Sequence, residues 1–348
     1  MHYEQTRRIQ LTGRSSYIIS IPKRWAEEIG LKPKDEVMIV RHGLSTIQII
    51  PKRAIKQQQR EATIHIINKE AVSNIVRKII SLYLRGYNII NIRASNGRLG
   101  PAIKKDIKDT VRKLLMGVEI TSDSIDNITL HVLLNVMELS IDNAFKRMLL
   151  LAKSMLKGAM LAFKESNVEL AKEIIADDDE VDRFYFYIIR QLNIAIENEY
   201  LLADMGLLRP THCLDYRLVV KSIERVADHA TNIAQQVIES NVGIEQALID
   251  SLINASDEAI NIIDSACLAL FKMDPVEAEE SIVKAKEFRI DVNLSSYRMS
   301  NDSLYKARFI IDNIKRIVEY ASDVGELVLN MTIDNMKGSN VSVELVNK

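Results

Sequence analysis

Two cysteines in 348 residues, Cys213 and Cys267, are too few and too far apart for a disulfide framework or a CxxC thiolate site, so both read as reduced and structural. No uninterrupted run of about 18 apolar residues occurs, and the opening MHYEQTRRIQ lacks the apolar stretch of a secretory leader. The expectation is a cytoplasmic protein with no membrane insertion. Neither GxGxxG nor GxxxxGK[ST] is found, and NGRLGP is too weak a turn to be a phosphate cradle. No Glu-x-x-His pair marks a di-iron oxidase. No serine or cysteine nucleophile has an identifiable base, so the expected activity is binding and the chain is not expected to be an enzyme.

What the chain does have is an uneven charge. Residues 1–60 carry 12 Lys+Arg against 5 Asp+Glu, a net +7, whereas the remainder carries 34 against 42, a net −8. A basic head on an acidic body calls for polyanionic partners at one end and cations at the other.

The first fifty residues read as short strands around one short helix. TRRIQLT alternates, GRSS turns and YIISIP resumes a β-branched run; KRWAEEIG gives two helical turns ended by Gly30, and EVMIV and TIQII form a second strand pair. Such a module buries little surface, so it is expected to pair with a second copy. Residues 55–133 alternate strand and helix, ending in a hairpin of VEITSD and ITLHVLL, a small α/β unit that connects and helps dimerise. Beyond 134, apolar residues at i, i+3, i+4 and i+7 predict six helices over 135–164, 168–200, 211–240, 244–272, 275–300 and 302–335. They form two sets of three, 134–240 and 241–348: SIERVADHATNIAQQV aligns with NIKRIVEYASDVGELV at an offset of 91, and DDEVDRF with EFRIDVN at an offset of 109.

The acids on these helices are the candidate site. Glu224, Asp228 and Asn232 stand four residues apart along the flank of an apolar stripe, and like charges at that spacing need compensation. Local pairing of Lys221 with Glu224 and of Arg225 with Asp228 accounts for one helix alone. The preceding ADDDEVDR adds Asp178 and Asp182, and the second set repeats the arrangement with Glu287, Asp291, Glu319 and Asp323. Two carboxylate helices side by side concentrate enough negative charge to require metal cations or shifted pKa values. Oxygen ligands suit hard cations such as Mg, Mn or Ca, and accommodate iron or zinc. His229 points about 100° away from Asp228 and reads as a packing histidine.

IERVADHATNIAQ resembles the signature helix of the PhoU family of phosphate-uptake regulators, and DDEVDRF its partner stretch. The resemblance covers residues 134–335. It implies paired three-helix bundles that bind metal clusters, often iron or zinc, and a role in restraining phosphate import and the phosphate response through a phosphate ABC transporter, whose ATPase is the expected partner, and, in bacteria, a sensor kinase. Position by position it puts one cluster on Asp178, Asp182, Glu224 and Asp228, and a second on Glu287, Asp291, Glu319 and Asp323. Lys315 replaces an acid of the second set and can neutralise Glu319; Gln235 replaces a commonly acidic position of the first.

TGRSSYIISIPKRWAEEIGLKPKDEVMIV is similar to the AbrB/SpoVT swapped-hairpin DNA-binding domain. That resemblance implies a homodimer interlaced through residues 1–54, with Arg7, Arg8, Arg14, Lys23 and Arg24 as DNA contacts. The fold expected is therefore multidomain α+β: a swapped-hairpin β-rich domain, a small α/β linking domain and C-terminal all-α tandem three-helix bundles. The function expected is a metal-binding, DNA-binding transcriptional regulator of phosphate uptake. The alternatives are an adaptor docking on the transporter ATPase, with the head used only to dimerise, and a carboxylate-bridged metalloenzyme.

Overall fold

The computed structural model describes residues 4–42, 46–51, 60–67, 71–95, 97–134, 139–197, 202, 205–207, 209–240, 243–290, 294, 297 and 299–333. The chain divides into two compact units, 1–59 and 60–348.

In the first unit, β1 (Gln10–Thr12) pairs antiparallel with β2 (Ser16–Ile18), placing Leu11 opposite Tyr17. Helix α1 (Lys23–Glu28) follows, then the antiparallel pair β3 (Val37–His42) and β4 (Thr46–Pro51). Gly30 ends α1 as its sequence context suggests: at φ +73° it lets Leu31 N–H return to the Ala26 carbonyl, a conformation costly for residues with a Cβ. Among the residues of this unit whose burial is described, none is buried. Tyr17 is 75% exposed, Ile47 69% and Ile39 67%, although β-branched and aromatic residues at these places are what a core would use.

The second unit starts with a four-stranded sheet. β5 (Glu61–Ile66), α2 (Val72–Leu84), β6 (Ile89–Ala94), α3 (Pro101–Leu114), β7 (Val118–Asp123) and β8 (Asn127–Val132) follow in order along the chain. Across the sheet the order is β5-β6-β8-β7: β5 and β6 run parallel, and the β7–β8 hairpin folds back so that β8 lies antiparallel to β6. Alternation sets the faces. Ile64, Ile66, Ile90, Ile92, Ile128, Leu130 and Val132 form a core with Ile75, Ile79, Tyr83, Ile107 and Val111 of α2 and α3. On the opposite face Thr129 Oγ1 donates to Asn91 Oδ1 at 2.9 Å, and Asn91 Nδ2 donates to Glu61 at 2.6 Å.

Among the described residues, six helices complete the unit: α4 (Ile141–Glu165), α5 (Val168–Ile196), α6 (His212–Glu239), α7 (Gln246–Lys272), α8 (Pro275–Glu287) and α9 (Asn301–Thr332). The internal repeat is visible in the turns. α4 ends on Ser166 at φ +52°, and Asn167 caps α5 by accepting from Leu170 N–H; α7 ends on Met273 at φ +51°, and Asp274 caps α8 by accepting from Val276 N–H. The two sets share one continuous core, with α6 packed against α9 between them.

The second set departs from expectation at its middle helix. The periodicity predicts a helix over 275–300, but α8 stops at Glu287, where Phe288 turns to an extended conformation and buries its ring. α5 runs 29 residues against 13 for α8 because its second half has a cover: α2 and α3 pack on it. Buried Arg190 donates to the carbonyls of Tyr83 and Tyr87, and Asn193 donates to that of Leu84 at 2.8 Å. Arg60 pairs with Glu197 at 2.5 Å, and Lys113 with Asp179 at 3.0 Å. The α/β segment, expected to be a connector, is thus attached to the helix that carries the first acids.

Candidate functional site

The helical period divides the acidic run 177–182 between faces. Asp179 turns to Lys113 and Glu180 to Arg183, while Asp178 and Asp182, one turn apart, face α6. There they meet Glu224 and Asp228. Burial, followed by the charges of Asp228 and Glu224, raises the Asp178 pKa to about 6. Burial, followed by Asp178, Glu224 and Asp228, raises that of Asp182 to about 7. Burial also raises Glu224, against the pull of Lys221. Four carboxylates from two adjacent helices therefore feel one another, and the seam has an appetite for positive charge.

Part of that appetite is met locally. Lys221 Nζ reaches both carboxylate oxygens of Glu224 at 2.5 Å, the helical pairing expected from the spacing, and lies 5.3 Å from the centre of the Tyr185 ring. Glu224 is only 8% exposed, farther into the packing than its flank position suggests, whereas Asn232 faces solvent. Arg225 takes a different partner from the one expected. Its guanidinium lies over the Tyr320 ring of α9 at 5.6 Å, and no ion pair joins it to Asp228 among the described residues. The Thr231 hydroxyl, which the sequence reading passed over, is buried beside Asp178 and favours its charged form while stopping short of a full hydrogen bond. As the side chains stand, no three His, Cys, Asp or Glu among the described residues are gathered closely enough to hold a metal ion. The donor set fits a hard cation in chemistry and charge; rotation of Glu224 away from Lys221 is what would free it as a ligand.

His229 lies outside this set. Its Nδ1 is 2.6 Å from Asn313 Oδ1 and its Nε2 is 3.3 Å from the Tyr320 hydroxyl, so it packs α6 on α9.

The second set is arranged otherwise. Glu287 is exposed at the last residue of α8, and Asp291 lies outside the described residues. Counted from the caps, Asp178 is 11 residues past Asn167, and 11 past Asp274 is Ala285; the place of Asp182 falls on Arg289. Glu319 is exposed and pairs with Arg316 at 2.6 Å rather than with Lys315, which faces solvent. Asp323 is exposed as a residue, but partial desolvation of its carboxyl, then Glu326 and Glu319, raises its pKa.

In the head, Arg7, Arg8, Arg14, Lys23 and Arg24 are all exposed. Lys23 and Arg24 hold Glu27 and Glu28 at 3.7 and 2.9 Å, and Arg7 donates to Gln5. Ile19, Ile21, Trp25, Ile29, Ile47 and Ile49 line an open apolar cleft of about 660 Å³.

The family profile that matches residues 145–237 is that of the PhoU domain, and both acid-bearing helices of the seam lie within it or overlap it. The chain carries a PhoU domain. Residues 10–57 match a second profile, the MazE bacterial antitoxin (antidote-toxin recognition), which agrees with an AbrB-like head. A phosphate-specific transport system accessory protein PhoU homolog of Caulobacter vibrioides is 31% identical over 96 residues, 28% of this chain and 39% of that protein. One of Zymomonas mobilis is 27% identical over 194 residues, 53% of this chain and 76% of that protein. The match thus spans about two fifths of the Caulobacter relative. Among solved structures, PhoU of Pseudomonas aeruginosa is similar with a TM-score of 0.44 at 14% identity, over 56% of this chain and 96% of that one. The phosphate transport system regulatory protein PhoU of Streptococcus pneumoniae is similar with a TM-score of 0.46 at 16% identity, over 57% and 96%. Within the PhoU domain of this chain, the α5–α6 seam is where described carboxylates of two helices influence one another.

Proposed function

We propose that the protein is a metal-binding transcriptional regulator of phosphate uptake that binds DNA as a homodimer through its head. The observation that carries this reading is the joining, in one chain, of a PhoU domain holding four mutually repelling carboxylates to a basic MazE-like head in which no residue of described burial is buried. A second copy would cover the open isoleucines and Trp25, supplying the core that the single module lacks. The five exposed cations would then sit on a doubled surface suited to phosphate backbones. Asp178, Asp182, Glu224 and Asp228 would hold the metal, which supplies the positive charge that the seam lacks.

The adaptor reading draws on the relatives' description as accessory proteins of a phosphate-specific transport system. Gel shifts on genomic fragments over a salt series separate the two. The regulator is expected to bind specific fragments with an affinity that falls steeply as salt rises. Absence of any complex at low salt would sink it and leave the adaptor. Mapping bound DNA across the genome should recover phosphate-uptake genes.

A further inference from the structure

A cleft of about 370 Å³ lies where α3 and β7 meet α5, lined by none of the four seam acids. Arg112 of α3, Glu119 of β7 and Arg183 of α5 line it, with Val111, Leu115 and Ile120 as apolar wall. We propose that this cleft binds a small phosphoryl-bearing anion, held between the guanidinium groups of Arg112 and Arg183.

The two arginines reach the cleft from different elements and have spare donors. Arg183 Nε is buried without an acceptor, and its only ion pair among the described residues is a loose 3.6 Å contact with Glu180. Arg112 forms no ion pair among the described residues. A cation in the last turn of α3 needs no further explanation where it faces the helix carbonyls, but Lys113 also stands in that turn. Lys113 has its own partner, Asp179, and that bond ties α3 to α5 so that both arginines are presented by packed helices. A planar guanidinium with free N–H groups matches the oxygens of a phosphoryl group, and two of them converging make a fork that a lysine pair does not.

Glu119 sets the selectivity. It shares the cleft yet pairs with neither arginine among the described residues. A carboxylate accepts hydrogen bonds and repels bare anions. Hydrogen phosphate, or a phosphate ester carrying hydroxyls, offers an O–H to such a group; sulfate at neutral pH offers none. The volume falls at the lower end of small-molecule sites, so the apolar wall leaves room beside the oxyanion for part of an organic ester. A ligand there would bridge the α/β segment to α5 one residue from Asp182.

The test uses the full chain stripped of metal with a chelator, so that any anion bound is not bound through the acid seam and the result stands apart from the metal reading. Calorimetric titration with inorganic phosphate, adenosine monophosphate and sulfate is expected to give saturable binding of one equivalent of inorganic phosphate, of the monophosphate, or of both. The tighter of the two identifies the free ion or the ester. Sulfate should bind more weakly. Exposed Arg112→Gln should weaken binding at least about tenfold, whereas Lys105→Gln on the same helix should change it less than twofold, and Glu119→Gln should narrow the phosphate-to-sulfate ratio. The absence of saturable binding of both phosphate species at millimolar concentration, sulfate binding as tightly as phosphate, or an Arg112→Gln variant that binds like the parent would overturn the proposal.

Discussion

The two three-helix sets use the same turn, the same long third helix and related acids, yet among the described residues only the first sets the acids of two helices facing each other. In the first, α5 continues past Asp182 for a further 14 residues, from 182 to 196, because the α/β segment covers it. In the second, α8 ends at Glu287, with α7 and α9 as its main neighbours, so the described helix offers no second turn of acids beyond that point. The difference teaches that spacing along a helix makes a carboxylate site only when the packing prolongs that helix opposite its partner. Residue size follows the same line. Gly325 of α9 aligns with Ala234 of α6, and a Cβ at Gly325 would stand 2.7 Å from Ile282 and 2.8 Å from Ser281. α8 and α9 approach each other there more closely than a methyl group allows.

Four measurements test this contrast. The largest effect is expected in metal titrations of chelator-stripped protein. Asp182→Ala with Asp228→Ala should lower affinity by about a hundredfold, because ligand charge sets hard-cation affinity over decades, and Glu319→Ala with Asp323→Ala should leave it within about twofold. Equal losses from both pairs would erase the distinction between the sets. Next, Arg190→Met removes the guanidinium that serves the Tyr83 and Tyr87 carbonyls. Chemical denaturation should show a loss of about 2–3 kcal/mol, with faster amide exchange in the second half of α5. Unchanged exchange there would show that the α/β segment does not support the long helix.

Gly325→Ala should cost about 1–3 kcal/mol through overpacking against α8. A neutral effect would mean that α8 is free to move away. The smallest effect is on pH. Folded Asp178 and Asp182 titrate near 6 and 7, above the roughly 3.9 of an unfolded aspartate, so the metal-free folded chain holds protons that the unfolded chain has lost. Stability should therefore rise as pH falls from 7.5 to 5.5 and decline as pH climbs through about 6–7, a change of about 2–4 °C in Tm. Asp178→Asn with Asp182→Asn should flatten that slope, and a slope unaltered by the pair would show that other groups produce it.

Much of the fold is legible in residue order. Period 2 in ATIHII and NIINIRA marks buried strands, period 3.6 marks the long helices, and Gly30 marks the end of α1 as a φ +73° residue. The first acid pairs are legible too, because i and i+4 on one helix must share a face. The reading failed where a third element intervenes. Arg225 has Asp228 at helical spacing but lies on Tyr320 of α9. Within α9 alone, Glu319 takes Arg316 rather than Lys315, a choice between two neighbours that spacing does not make. The Arg112–Arg183 cleft carries no sequence signal, since its arginines are 71 positions apart, from 112 to 183, on elements that periodicity treats separately.

Sequence by itself therefore determined the local elements, the repeat, the basic head and the pairing of acids along each helix. These depend on steric preferences and charges between near neighbours. Tertiary structure decided which acids face each other, where the fifth helix of the body stops and what the α/β segment is attached to. Those outcomes depend on burial, and a residue's burial is set by distant segments whose positions no local pattern records.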